Sequence, residues 1–259
     1  MASDESAITI QFTTVSKLFE EIYSNDTRDA LVVQNVSQQD YIDINNERER
    51  RRRKFRLKRY YSERQLLIAT IPTEAHELLH SNLFGHIHAA VIQMGLGSQW
   101  TAMGSTTRRG HLNGDSGEGD SSGGPRNRQG PRWPTLIIEA GYSRALESLR
   151  RDMKWWFSAS NHQVKIVLLV KLDPSSENII METWQAETAS LEPSCSQVVT
   201  ISREPDADTP DSVSGGPLRL DFELLFLRAP REGEGDIVLP VDVLQLLADI
   251  AREGLEATI

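Results

Sequence analysis

Apolar positions in this chain recur in two rhythms, and each predicts its own element. Leu79, Leu83, Ile87, Ala90 and Met94 follow a 3–4 spacing, which predicts a long amphipathic helix over 74–94 packed on a sheet. Thr73 is its expected N-cap, Pro72 ends the preceding strand, and Gly95 stops the helix. A second helix is expected over 143–158, with Leu146, Leu149, Met153 and Trp156 on one face, and shorter ones over 15–23 and 240–251. Unbroken apolar runs over 133–141 (WPTLIIEAG), 164–172 (VKIVLLVKL) and 179–184 read as buried strands. Residues 56–71 read as two strands joined through the polar 62–65, and short strands are expected near 30–33, 194–201 and 218–227.

Strand, helix and buried strand in succession imply an α/β (α+β) chain, a central mixed sheet flanked by helices. The expected division is a peripheral N-terminal segment, 1–54, and one domain over 55–259. Within that domain, 104–132 is rich in Gly, Ser, Asp and Arg and predicts a long mobile loop rather than core. An acidic linker over 204–216 leads to a C-terminal strand and helix over 217–259.

Charge changes the picture only locally. A net charge of −9 argues against general coating of nucleic acid, yet 48–64 is strongly basic and the chain after Glu204 is acidic. Arg50, Arg51, Arg52, Arg53 and Lys54, with Tyr60 and Tyr61 nearby, have two readings. One is an electrostatic footprint for DNA or RNA, or a nuclear-import signal; the other is a solvated strand edge whose charges discourage pairing. No run approaches the roughly 18 apolar residues of a membrane span. The lone Cys195 excludes an internal disulfide framework, so cytoplasm or nucleus is the expected location.

Two constellations compete for chemistry. His76-Glu77-Leu78-Leu79-His80 reads HExxH, the spacing of a zinc peptidase helix with Glu77 as general base, and His86 stands at a third-ligand spacing. On an unbroken helix, however, His86 falls ~15 Å along the axis from His76 and ~80° round it, out of reach of one metal. His76 and His80 share an azimuth with Leu83 and Ile87, so the favoured reading is a pair of buried or half-buried histidines.

The other constellation is Asp120 with Glu139. Glu139 lies late in a strand otherwise made of Leu and Ile, where a charge is costly unless paired or bound to a cation. Two carboxylates brought together by neighbouring strands suit Mg2+ or Mn2+, which can polarise a phosphodiester and activate water. The competing reading pairs Glu139 with Arg151, Lys154 or Lys165.

The order of Glu77, Met94-Gly95-Leu96, Gly104-Ser105-Thr106, Glu118-Gly119-Asp120-Ser121-Ser122, the 133–141 strand and Asp152…Trp155-Trp156…Val164-Lys165-Ile166-Val167 resembles a fungal family. That family is similar to the PD-(D/E)XK, or restriction-endonuclease-like, nucleases and to the Uma2-like group. The resemblance covers about residues 55–185. It implies a restriction-endonuclease-like fold, a nuclease site on Asp120 and Glu139 holding Mg2+ or Mn2+, and Glu77 as an additional acid. Gly119 replaces the motif's proline, and Gly141 replaces the lysine two residues after the acid. A lysine displaced onto the following helix would be Lys154, with Lys165 second; a degenerate, binding-only domain is the alternative.

Overall fold

The computed structural model describes residues 8–24, 30–51, 55–111, 114–126, 133–142, 144–186, 192–204, 206 and 209–256. Its architecture is mixed α/β. The first half supplies β1 (Ile8–Gln11), α1 (Val15–Tyr23), β2 (Ala30–Gln34), α2 (Gln38–Arg51), β3 (Arg56–Tyr61), β4 (Leu66–Thr70) and α3 (Glu74–Gln93). Short strands β5 (Trp100–Ala102), β6 (Arg108–Arg109), β7 (Ser116–Gly117) and β8 (Ser121–Pro125) precede β9 (Leu136–Gly141) and α4 (Leu146–Ala159). The chain continues through β10 (Ile166–Leu172), β11 (Ile179–Ala186), β12 (Pro193–Ser202) and β13 (Ser212–Ser214). It ends with β14 (Leu218–Leu220), α5 (Phe222–Phe226), β15 (Ile237–Leu239) and α6 (Val241–Glu256).

Seven strands form the larger sheet in the order β13-β12-β11-β10-β9-β8-β5, and six form a second in the order β1-β2-β4-β3-β7-β6. Among the described residues, only β9 and β10 run parallel in the larger sheet, joined through α4, as a crossover requires. Alternation along β9 decides what each face meets. Leu136, Ile138 and Ala140 pack with α3 and α6, while Ile137 packs with Trp156 and Met153 of α4. The N-terminal segment expected to be peripheral contributes two strands at one edge of the six-stranded sheet, and its apolar residues close a separate core with α1 and α2.

Helix α3 forms where its pattern places it. Thr73 Oγ1 accepts from the backbone N–H of His76 at 3.3 Å, and Glu74 and Glu77 complement the positive end of the dipole. Leu79, Leu83, Ile87 and Val91 are buried, and Gly95 takes φ +74 beyond the C-terminus.

Three expectations need correction. Residues 116–124 are buried, and β8 sits inside the larger sheet between β5 and β9, so this part of 104–132 is core. Its glycines stand where side chains crowd in: a Cβ at Gly123 would lie 2.7 Å from the Trp100 ring. Strand 218–227 is instead β14 followed by α5, because Asp221 caps the Leu224 N–H at 2.8 Å and Leu227 ends the turn at φ +60. The basic run enters from a helix, α2, that the hydrophobic pattern does not announce, since Ile44 alone is buried within it.

Candidate functional site

The polar centre lies where β3, the first turns of α3, the 118–121 segment and the end of β9 meet. Strand β3 delivers three cations to it. Alternation would send Lys58 and Arg59 to opposite faces, but the register against β4 slips between Arg56 and Arg59. This bulge lets both neighbours reach the same carboxylate. Lys58 Nζ donates to Asp120 Oδ2 at 2.7 Å and pairs with Glu139 Oε2; Arg59 Nη2 lies 3.4 Å from Glu139 Oε1. Asp120 and Glu139 therefore converge, and one buried ammonium bridges them.

Each acid has further donors. Asp120 Oδ2 accepts from the Ala140 N–H at 2.7 Å, and Oδ1 accepts from Arg56 Nη1 at 2.9 Å. Glu139 Oε1 accepts from Trp156 Nε1. Behind it, Arg59 Nε reaches Asp152 at 3.2 Å and its guanidinium stacks 3.8 Å from the Trp155 ring centre. Arg144 Nη2 donates to Asp152 Oδ2 at 2.8 Å. Glu118 is clamped by Arg48 through two 2.8 Å bonds and by Leu57 N–H and Thr107 Oγ1. Glu77, Glu118, Asp120, Glu139 and Asp152 thus face Arg48, Arg56, Lys58, Arg59 and Arg144, a formally balanced set.

The histidines join this centre. His76 and His80 are buried, their rings 5.2 Å apart. His76 Nε2 lies 3.4 Å from Asp120 Oδ2, and His80 Nδ1 lies 2.9 Å from Ser121 Oγ. The same Glu77 oxygen stands 3.4 Å from His76 Nδ1, 3.3 Å from His80 Nε2 and 2.6 Å from Arg56 Nη2. The two constellations that compete in the sequence are one site. His86 is not part of the group of candidate metal ligands found among the described residues, so the peptidase triad is not assembled.

Burial and neighbouring charge move the titrations apart. Burial, the largest influence on Asp120, would raise its carboxyl, but Lys58, His76 and Arg56 outweigh it and hold the group well below the usual carboxylate range. On Glu139 burial prevails over Lys58 and Arg59, assisted by the charge of Asp120, and its carboxyl is pushed up. Burial alone would depress His76; Asp120 overcomes it and lifts the imidazole to about 9. His80 goes the other way, because burial dominates there. Glu77 is held low against its partial burial by His76, His80 and Arg56.

Asp152 gives a prediction for the whole protein. Burial would raise it, but Arg144 and Arg59 overcome that and lower it. A depressed acid contributes stability above its unfolded pKa that is lost as pH falls through the folded value. Asp152→Asn should therefore lower the denaturant midpoint at neutral pH and flatten its fall below about pH 5, as pH drops toward the depressed folded value. Acid limbs of equal slope in the variant and the parent protein would contradict this.

Lys154 does not reach the acids as the resemblance implies: it is exposed on the outer side of α4. Lys165 donates to the His162 carbonyl at 2.7 Å. The amine at the acids is Lys58, inside the basic run but on a strand, and the bulge that aims it leaves no mark in the hydrophobic pattern. Arg50 and Arg51 both pair with Glu47, so much of their charge is answered within α2. Arg52, Arg53 and Lys54 lie outside the described residues. The centre communicates with solvent through Arg56 and Glu77, which line a cleft of about 810 Å3 together with Arg48, Phe55, Thr73 and Thr106.

Lys58 spans the Asp120 and Glu139 oxygens that Mg2+ or Mn2+ would share, so an ion there would have to displace the Lys58 ammonium. Among the described residues no helix is long and apolar enough to cross a membrane. No protein-family model matches the chain, and no curated protein matches it.

Proposed function

We propose that this protein binds nucleic acid in the cleft beside Arg56 and Glu77 and hydrolyses its phosphodiesters at the acid–amine centre. The observation that carries this reading is Lys58 bridging Asp120 and Glu139 next to that cleft. The family resemblance assigns catalysis to those two acids and requires an amine beside them; Lys58 meets that requirement from a different strand. Arg56 brings a guanidinium to the mouth; its Nη1 and Nη2 donate to Asp120 and Glu77, so a phosphate bound there competes with Glu77 for Nη2. Lys58 supplies positive charge in a medium of low polarity, where it is most effective against charge building on phosphorus. Glu139, its carboxyl pushed up by burial, is the better proton acceptor of the two acids. The location in this reading is cytoplasmic or nuclear.

The test is cleavage of plasmid, single-stranded DNA and RNA by the full chain, with and without added Mg2+ or Mn2+. Asp120→Asn and Glu139→Gln should each reduce cleavage by roughly 100-fold or more. Cleavage undiminished in both variants would sink the reading.

One observation favours a second reading, a binding module without hydrolysis. Lys58 and Glu139 are each 0% exposed, so a ligand in the cleft meets Arg48, Arg56, Glu77 and Glu118 rather than the acid–amine pair. In that case DNA or RNA binds with a steep salt dependence. Neutralising the basic segment at Arg50, Arg51, Arg52, Arg53 and Lys54 should then weaken it, and no cleavage should accompany binding.

A further inference from the structure

We propose that His76, Glu77 and His80 form a binding site for one divalent first-row transition metal, of the zinc or cobalt kind, reached from the cleft. The inference concerns different ligand atoms from the acid–amine centre and stands whether or not the protein hydrolyses phosphodiesters.

The near nitrogens of both imidazoles address one point. His76 Nδ1 and His80 Nε2 lie 3.4 and 3.3 Å from the same Glu77 oxygen, and the three ligand atoms fall within 4.8 Å of one another. An i, i+1, i+4 set on one helix achieves this because the first and last side chains stack on one face. Neither ring nitrogen of buried His76 meets hydrogen-bond geometry; each faces a carboxylate oxygen at 3.4 Å, Nδ1 that of Glu77 and Nε2 that of Asp120. The far nitrogens are supported as those of metal-bound histidines usually are: His76 Nε2 faces the Asp120 carboxylate at 3.4 Å, and His80 Nδ1 faces Ser121 Oγ at 2.9 Å.

A cation already stands at the same point. Arg56 Nη2 lies 2.6 Å from the Glu77 oxygen and 3.4 Å from His80 Nε2. A metal there would have to displace the Arg56 guanidinium from Glu77 and His80. Glu77, half-exposed, lines the cleft, so the remaining coordination positions open toward a ligand there. The donor set decides the class of ion. Two imidazoles and one carboxylate suit zinc and ions that substitute for it, such as cobalt, whereas Mg2+, Ca2+ and Mn2+ favour oxygen ligands. Here Glu77 is a ligand, unlike the general base of an HExxH peptidase.

The test is equilibrium dialysis of the full chain against Zn2+ or Co2+, followed by metal analysis and, for Co2+, visible absorption. About one equivalent should bind, unaffected by millimolar Mg2+. His76→Ala and His80→Ala should each weaken binding more than tenfold, and Ser121→Ala by about tenfold. Arg56→Met removes the competing cation and should tighten binding. Since the histidine variants could fail to fold, Arg56→Met carries the decision alongside them. Uptake that disappears in folded His80→Ala supports the site. Absence of uptake in both the wild-type protein and Arg56→Met, or uptake untouched by the histidine variants, overturns it. Neither result depends on nuclease activity, so failure here is distinct from failure of the hydrolase reading.

Discussion

Replacing Lys58 by methionine is expected to destabilise the protein by about 3–5 kcal/mol, the cost of breaking a buried ion pair from one side. The methionine retains the volume of the lysine stem, so packing changes little. What changes is the charge balance. Asp120 keeps Arg56 and the Ala140 N–H, but Glu139 keeps only the more distant Arg59 and Trp156 as donors. A fully buried carboxylate so placed either stays charged at high cost or takes up a proton. For a chain of this size the loss corresponds to a drop of roughly 10 °C in Tm. Lys154→Met, on the exposed side of α4, should change stability by no more than about 0.5 kcal/mol. A Lys58→Met protein melting within about 2 °C of the parent would show that the bridge contributes little.

Gly254→Ala should cost nearly as much by a different route, about 3 kcal/mol, at the upper end of ordinary overpacking. Helix α6 lies along α3, and a Cβ at Gly254 would sit 2.7 Å from both the backbone N and Cα of Ala75. Backbone cannot rotate aside as a side chain can, so the helices must separate. Ala75 immediately precedes His76 and Glu77, and the shift would therefore loosen the polar centre as well. The comparison is Gly85→Ala on the opposite stretch of α3. Nothing lies within 4 Å of a Cβ there, and the gain in helix propensity should stabilise by about 0.5–1 kcal/mol. Two glycine-to-alanine changes on one helix pair should thus move the urea midpoint in opposite directions. Equal shifts would mean that the α3–α6 contact is not as tight as described.

Much of the scaffold is legible in the sequence because its signals are local and strong. The α3 cap at Thr73, its apolar stripe and the hairpin turn at 62–65 depend on residues a few positions apart. The parts that escape reading depend on distant partners. Glycines 117, 119, 123 and 124 look like loop, yet they are small because Arg59, Ile137, Trp100 and Thr135 occupy the space where a side chain would go. Helix α2 shows no stripe because Ile44 alone is fully buried in it, with Tyr41 packed half-buried against Tyr60. At the site, burial of a lone strand acid demands a counter-charge, and the sequence leaves open whether Glu139 meets Asp120 around a cation or pairs with Arg151, Lys154 or Lys165. The structure brings the two acids together around Lys58. The identity of that counter-charge does not follow from the sequence, because a β-bulge redirects Lys58 and Arg59. Nor could spacing along α3 reveal that His76 faces Asp120, a contact across 44 positions of chain.

The central claim is that Lys58 and Glu139 form one charge-coupled pair at the heart of the site. A double-mutant cycle with Lys58→Met and Glu139→Leu measures that coupling directly from denaturant unfolding. The pair variant should be far less damaged than the two single variants imply together, with a coupling energy of about 2–3 kcal/mol. Strictly additive losses would contradict the account, since they would mean that neither side chain feels the charge of the other.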